Sequence, residues 1–383
     1  MGSSLKNKLR VIQASSNAVR ASDERKAAGF LKVRHERRVE RETLIFPSDG
    51  LRRIGWSGRS FDIRQCLFLD AETTGLSGGA GTVAFLVGYG YVRDEKLIVE
   101  QLLMRDYASE SLMLSELAAA MEPFQYVCTF NGRNFDMPLL ESRFTMCRMR
   151  ERWRDMENLD LMIPSRRIWK LRLESCRLSR LEEYVLGIRR EGDLPGAEVP
   201  GRYFEYLKTG DEMHLADILK HNEQDIATLL ELLKLLCGIY HRPEELEDPA
   251  DRYSAGLALE RQGELTAARA AYEKTAVPAL RGRVCSGLSE TAEAMANWRI
   301  YLLERRNRNY PEMLSILEKM YRRKQMRFEV CVELSKLYEH RLKKYRAAKA
   351  YAGEAMDCCP EGMEAELMKR IERIRAKEMK GEN

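Results

Sequence analysis

The chain has 383 residues, 44% of them hydrophobic and 32% charged, with a formal net charge of +5. That is long enough for two or three domains, and the modest positive balance permits an anionic partner without demanding one. No apolar run approaches the ~20 residues needed to cross a bilayer, and the first residues lack a signal peptide's apolar core, so a cytoplasmic protein with no membrane partner is expected.

Residues 1–48 read as a charged helical segment. Its core, "SDERKAAGFLKVRHERRVERE", mixes both signs as a solvated helix does. An arm that grips nucleic acid is the sharper alternative. Near residue 49 the pattern changes. "CLFLD", "GTVAFLVGYGYV" and "KLIVEQLLM" read as three strands. "SESLMLSELAAAMEPF" has helical period, and "YVCTFN" is a short strand ending at the turn signal Asn131-Gly132. "FDMPLLESRFTM" reads as a helix with Pro138 in its first turn, and "LMI" as a short strand. A helix over 174–187 ends at Gly187, and "HLADILKHNEQDIATLLELLKLLCGIY" is a long amphipathic helix stopped near Pro243. Strands followed by alternating helices and strands predict an α/β domain with a mixed sheet over residues 49–242.

Residues 243–383 carry no strand signal. "YSAGLALERQGELTAARAAYEKTA" reads as two helices joined at Gln262-Gly263, and the layout returns at "VCVELSKLYEHRLKKYRAAKAYAGEAMDCCP". Leu265, Ala268 and Tyr272 align with Tyr345, Ala348 and Ala352, leaving room for one unit around Tyr310 and Leu317. These helix pairs resemble tetratricopeptide repeats, which predicts an all-α repeat domain. Nine scattered cysteines without a Cys-x-x-Cys pair fit reduced thiols rather than a zinc site.

The chemistry concentrates in "CLFLDAETTGLSGG". Alternate strand residues share a face, so Asp70 and Glu72 point the same way from a strand that is otherwise apolar. Two carboxylates there are unfavourable unless a cation sits between them. "TFNGRNFDMPLL" places Asp136 at a helix start, and "HNEQD" puts His221 and Asp225 on one face of the long helix. Taken singly, Asp136 reads as a helix N-cap, and His221 and Asp225 as solvent-facing positions. In this order and at these spacings the set resembles the DEDD family of 3′–5′ exonucleases, whose fold is ribonuclease H-like, over roughly residues 64–240. The bacterial branch in which this domain precedes tetratricopeptide repeats is most similar, and "GDLPGAEVPGRYFEYLKTGD" resembles it too.

The resemblance implies that Asp70, Glu72, Asp136 and Asp225 hold two Mg²⁺ or Mn²⁺ ions and that His221 is the general base. Physical chemistry points the same way. Two ions stabilise the attacking and leaving oxygens of a phosphodiester, hard cations prefer carboxylates, and histidine titrates near neutrality. One departure stands out: His221 occupies the spacing at which the tyrosine branch of the family carries Tyr, whereas the histidine branch uses a longer one. Thr73 and Thr74 are candidates to touch the nucleotide or simply to form a turn, and Asp160 to support the acids or to end a strand. Arg166, Arg167 and Lys170, in an arginine-rich region with Trp153 and Trp169, are candidates to neutralise phosphates, with the tryptophans stacking on bases or filling the core. The expected function is a metal-dependent 3′–5′ exonuclease on single-stranded DNA or RNA, with a protein partner on the repeats. The alternatives are an inactive nucleic-acid-binding scaffold and an interaction protein whose repeats do all the work.

Overall fold

The computed structural model describes residues 23–27, 29–40, 44–58, 60–75, 81–149, 156–190, 192, 194–277 and 287–381. The chain divides into two compact units, with the boundary between Glu245 and Leu246.

The first unit is built on a seven-stranded mixed sheet in the order β1-β2-β5-β4-β3-β6-β7. The strands are β1 (Asp23–Ala27), β2 (Phe30–Arg38), β3 (Cys66–Thr73), β4 (Ala84–Arg93), β5 (Lys96–Met104), β6 (Tyr126–Thr129) and β7 (Glu157–Asp160). Neighbours from β1 through β3 pair antiparallel, while β6 pairs parallel with both β3 and β7. Leu67 and Leu69 of β3 enter the main core beside Met113, Leu114 and Leu117 of α2 (Glu110–Met121) and Leu140 and Phe144 of α3 (Asp136–Met146). A shorter helix, α1 (Ser48–Ile54), precedes the sheet's central strands. The other residues of β3 face α7 (Met213–His241), the 29-residue helix whose Asn222 and His221 reach Asp70 and Glu72. On α6 (Val199–Thr209), Tyr203 stacks on Phe85 of β4 at 4.0 Å between ring centroids.

Three expectations change here. The segment expected to be helical within residues 1–48 contains β1 and β2; residues 1–22 lie outside the described residues. Its charges hid a strand because they are matched across the sheet rather than solvated. Lys32 pairs with Glu116 at 2.6 Å and Glu100 at 3.3 Å, Arg34 with Glu100 at 3.1 Å, and Glu36 with Lys96 at 2.8 Å. Phe30, Leu31 and Val33 are buried between them. The short strand is "ENLD", not "LMI": Met162 already opens α4 (Met162–Leu173). The helix expected over 174–187 is the single turn α5 (Leu178–Leu181) followed by a π-helical turn, Glu182–Leu186, which Gly187 closes with φ 70°.

The second unit is all-helical: α8 (Pro249–Arg261), α9 (Leu265–Thr275), α10 (Gly287–Arg306), α11 (Tyr310–Arg322), α12 (Arg327–His340), α13 (Tyr345–Met356) and α14 (Glu364–Gly381). Ala268, Ala348 and Ala352 are fully buried, as small residues at close helix contacts should be. A tyrosine-to-glutamate hydrogen bond recurs between helices, from Tyr272 to Glu260 at 2.7 Å and from Tyr321 to Glu354 at 2.6 Å. No described helix is long and apolar enough to cross a membrane.

Candidate metal centre

Asp70 and Glu72 leave β3 on the side covered by α7, and the ladder to β4 shifts register between Glu72 and Thr73. A bulge of this kind ends pairing and re-aims side chains. Asp136 is the first residue of α3, but Phe135 is the N-cap and makes no capping bond, so the N-cap reading does not describe Asp136. Its carboxyl instead accepts the Ala71 N–H. The loop that delivers it is fixed from below by Asp160. That buried carboxylate accepts the N–H groups of Asn131 at 2.8 Å, Arg133 at 3.2 Å and Met162 at 3.0 Å. Asn131 sits in the left-handed region at φ 66°, which its short polar side chain tolerates.

From α7, one turn presents His221 and Asp225 toward β3. Ligand atoms of Glu72, His221 and Asp225 all lie within 4.8 Å of one another. His221 Nε2 is 3.9 Å from Glu72 and 3.5 Å from Asp225. Asp70 and Asp136 stand outside that closest triad yet share its field. Burial first, then the charges of Asp225, Asp136 and Glu72, push the Asp70 carboxyl well above its ordinary range. Burial, only partly offset by the charge of His221 and reinforced by the like charges of Asp225 and Asp136, pushes Glu72 up to about 7. Asp136 also rises to about 7, mainly through burial, against the stabilising backbone N–H bonds. Asp225 is raised by burial and restrained by Arg190 and His221.

The cluster is an anionic site whose own cations do not fully balance it. Carboxylate oxygens are hard donors of the kind Mg²⁺ and Mn²⁺ take, so the acids present fit a divalent ion.

Five contributors, Asn222, Gln101, Gly88, Arg190 and Phe135, were not read from the sequence. Asn222, fully buried, donates to Asp70 Oδ2 at 2.9 Å and accepts from Gln101 Nε2 at 2.9 Å. Gly88 lies opposite both Asp70 and Gln101, and a Cβ there would stand 1.9 Å from Asn222 Oδ1. Arg190 donates to Asp225 and to Glu182, and its Nη1 is 3.2 Å from His221 Nδ1. A guanidinium only donates, so Nδ1 accepts, and neutral His221 carries its proton on Nε2. Phe135 is 55% exposed immediately before Asp136. No local pattern marks Asn222, Gln101 or Arg190, because their partners lie far away in sequence; Phe135 alone had a signal, an aromatic beside the acid in "FNGRNFD".

The remaining candidates are placed as follows. The Thr73 hydroxyl donates to Gly75 O at 2.8 Å, and the Thr74 hydroxyl accepts from Val83 N–H at 3.0 Å, so both shape the loop. Arg166, Arg167 and Lys170 are exposed on α4, while Trp169 between them is core; Trp153 lies outside the described residues. Arg167 touches the Tyr240 hydroxyl. Tyr240 and Asp225 are on the same helix, roughly 22 Å apart along its axis at 1.5 Å per residue. The structure therefore does not bring Arg167 to the carboxylates. Arg143, in the same basic region, is buried against Glu110.

The RNase_H superfamily family model matches residues 67–237. The chain is also similar to the uncharacterized protein YprB of Bacillus subtilis (strain 168), at 28% identity over 333 residues, covering 84% of this chain and 77% of that protein. The mixed sheet and the acids on β3 fall within the span that the RNase_H superfamily model matches, and the fold is consistent with that likeness.

Proposed function

We propose that this chain is a metal-dependent nuclease that shortens single-stranded nucleic acid from its 3′ end. The observation that supports it most is the convergence of Asp70, Glu72, Asp136 and Asp225, from β3, α3 and α7, into one buried and under-neutralised cluster. Asp70, Glu72, Asp136 and Asp225 would hold two Mg²⁺ or Mn²⁺ ions, which when bound supply a metal-activated water and charge stabilisation at the leaving oxygen. Asn222 holds Asp70 in one rotamer, and Ala71 N–H does the same for Asp136. Phe135 offers an exposed ring on which a terminal base can stack. His221 can accept a proton from water at Nδ1 once Arg190 leaves it. Thr73 and Thr74 would act by shaping the loop beside the nucleotide. Arg166, Arg167 and Lys170 would neutralise phosphates well away from the reacting end. The helical repeats, similar in layout to tetratricopeptide repeats, would take a protein partner in a cytoplasmic setting.

Polarity is tested with 5′-labelled single-stranded RNA and DNA, each with a free or a phosphorothioate-blocked 3′ end, in Mg²⁺, Mn²⁺ or EDTA. A metal-dependent ladder that disappears on 3′ blocking supports the reading. Internal cleavage that ignores the block would make the enzyme an endonuclease. A catalytically weak scaffold is the second reading, favoured by the hold of Arg190 on Asp225; binding without cleavage in either metal would select it.

A further inference from the structure

The stretch "EEYVLGIRR" brings a cation of the chain's own into the cluster. After α5 the chain widens into the π-helical turn Glu182–Leu186, held by the Ile188 N–H to Glu182 O bond at 2.9 Å. Such turns are frequent at functional sites. The chain then folds back so that Arg190 lies against Glu182. That carboxylate is 1% exposed and is fixed from the other side by the Thr228 hydroxyl and by Gln224 at 3.4 Å. With its Nε anchored there, Arg190 reaches Asp225 Oδ1 through Nη2 and His221 Nδ1 through Nη1. The second oxygen of Asp225 faces His221 Nε2 at 3.5 Å. Both oxygens of Asp225 are thus engaged by the chain's own groups, and the Arg190 side chain is only 10% exposed.

We infer that Arg190 is a resident cation that competes with a divalent ion for Asp225, so that the site takes one ion tightly and admits a second only when Arg190 is displaced. This rests on the metal reading above. A guanidinium N–H on a carboxylate is among the stronger charge-assisted contacts, and here the guanidinium is pre-organised by a second, buried carboxylate. An ion that uses Asp225 must overcome that contact, whereas an ion held by Asp70 and Asp136 need not. Displacing Arg190 also releases Nδ1 of His221, which couples the second ion to the availability of the base.

The test is a Mn²⁺ titration of the full chain without nucleic acid, reading free Mn²⁺ by electron paramagnetic resonance. The wild type should bind one equivalent tightly and a second roughly tenfold or more weaker; in Arg190→Gln the second should tighten by roughly tenfold. Arg190→Lys keeps the charge but cannot hold Glu182, Asp225 and His221 at once, and should fall between them. It also serves if Arg190→Gln does not fold. In circular dichroism melts, Mn²⁺ should raise the melting temperature of Arg190→Gln more than that of the wild type. Two equally tight ions in the wild type, unchanged in both variants, would overturn the inference and leave the metal reading standing. No Mn²⁺ bound by folded wild type or variants would overturn both.

Discussion

Glu72 and Asp136 are held as acids that resist ionisation, each rising from ordinary values of 4.5 and 3.8 to about 7. The folded state therefore binds protons that the unfolded chain releases. Stability contributed this way is fully present below the unfolded values and is lost as pH rises toward 7. In EDTA, the melting temperature of the wild type should fall across this window more steeply than that of Glu72→Gln/Asp136→Asn. Mg²⁺ should restore the wild type at the alkaline end, because it takes over the charge that protons neutralise. Parallel pH slopes in the two proteins would remove the claim that burial in the cluster raises these two carboxyls. The acids were legible because each sits at a local break: Asp70 and Glu72 where an apolar strand turns polar, Asp136 at a helix start, Asp225 four after His221. Arg190 and Asn222 were not, since an arginine among arginines and an asparagine on a polar helix face carry no mark until the chain folds.

At the scale of elements, the site depends on how closely α7 approaches the sheet. Asp70, Gly88 and Gln101 form a row across β3, β4 and β5, and Asn222 fills the space above Gly88. Gly88→Ala would place a methyl inside that side chain, so Asn222 must move and α7 with it. The expected cost is about 2 kcal/mol or more in urea unfolding, together with loss of the bond to Asp70. Gly238→Ala, on the same chain with open space around its Cβ position, is the control and should leave stability nearly unchanged or slightly raised. A Gly88→Ala protein as stable as the control would mean that the contact is loose. Strands β3 to β6 and helices α2, α3 and α7 were legible from periodicity. Strand β2 was not, because its pairing residues are charged and their partners, Glu100, Glu116 and Lys96, lie more than sixty positions away or close to it. Helix α4 is the alternative of a solvated helix face over a buried tryptophan, with Ile168, Trp169 and Leu173 in the core, and only its start, at Met162 rather than after a strand, was not legible.

At the scale of the molecule, each compact unit has its own apolar core, one around Leu67, Leu114 and Phe144 and one around Cys331, Ala352 and Ile374. A ligand stabilises what it binds, so Mn²⁺ should shift the calorimetric transition of the sheet unit and leave that of the helical unit in place. A shift of both by the same amount would show that they unfold as one. The strand pattern of the sequence ends near Pro243, close to this division. Metal-dependent phosphodiester cleavage by the acid cluster is tested most directly by single-turnover degradation of end-labelled single-stranded RNA and DNA by the wild type and by Asp70→Asn, each in Mg²⁺, Mn²⁺ and EDTA. Catalysis at this cluster requires cleavage by the wild type in at least one metal, none in EDTA, and a loss of about a thousandfold in Asp70→Asn. Equal rates in the two proteins, or cleavage that survives EDTA, would place the activity elsewhere.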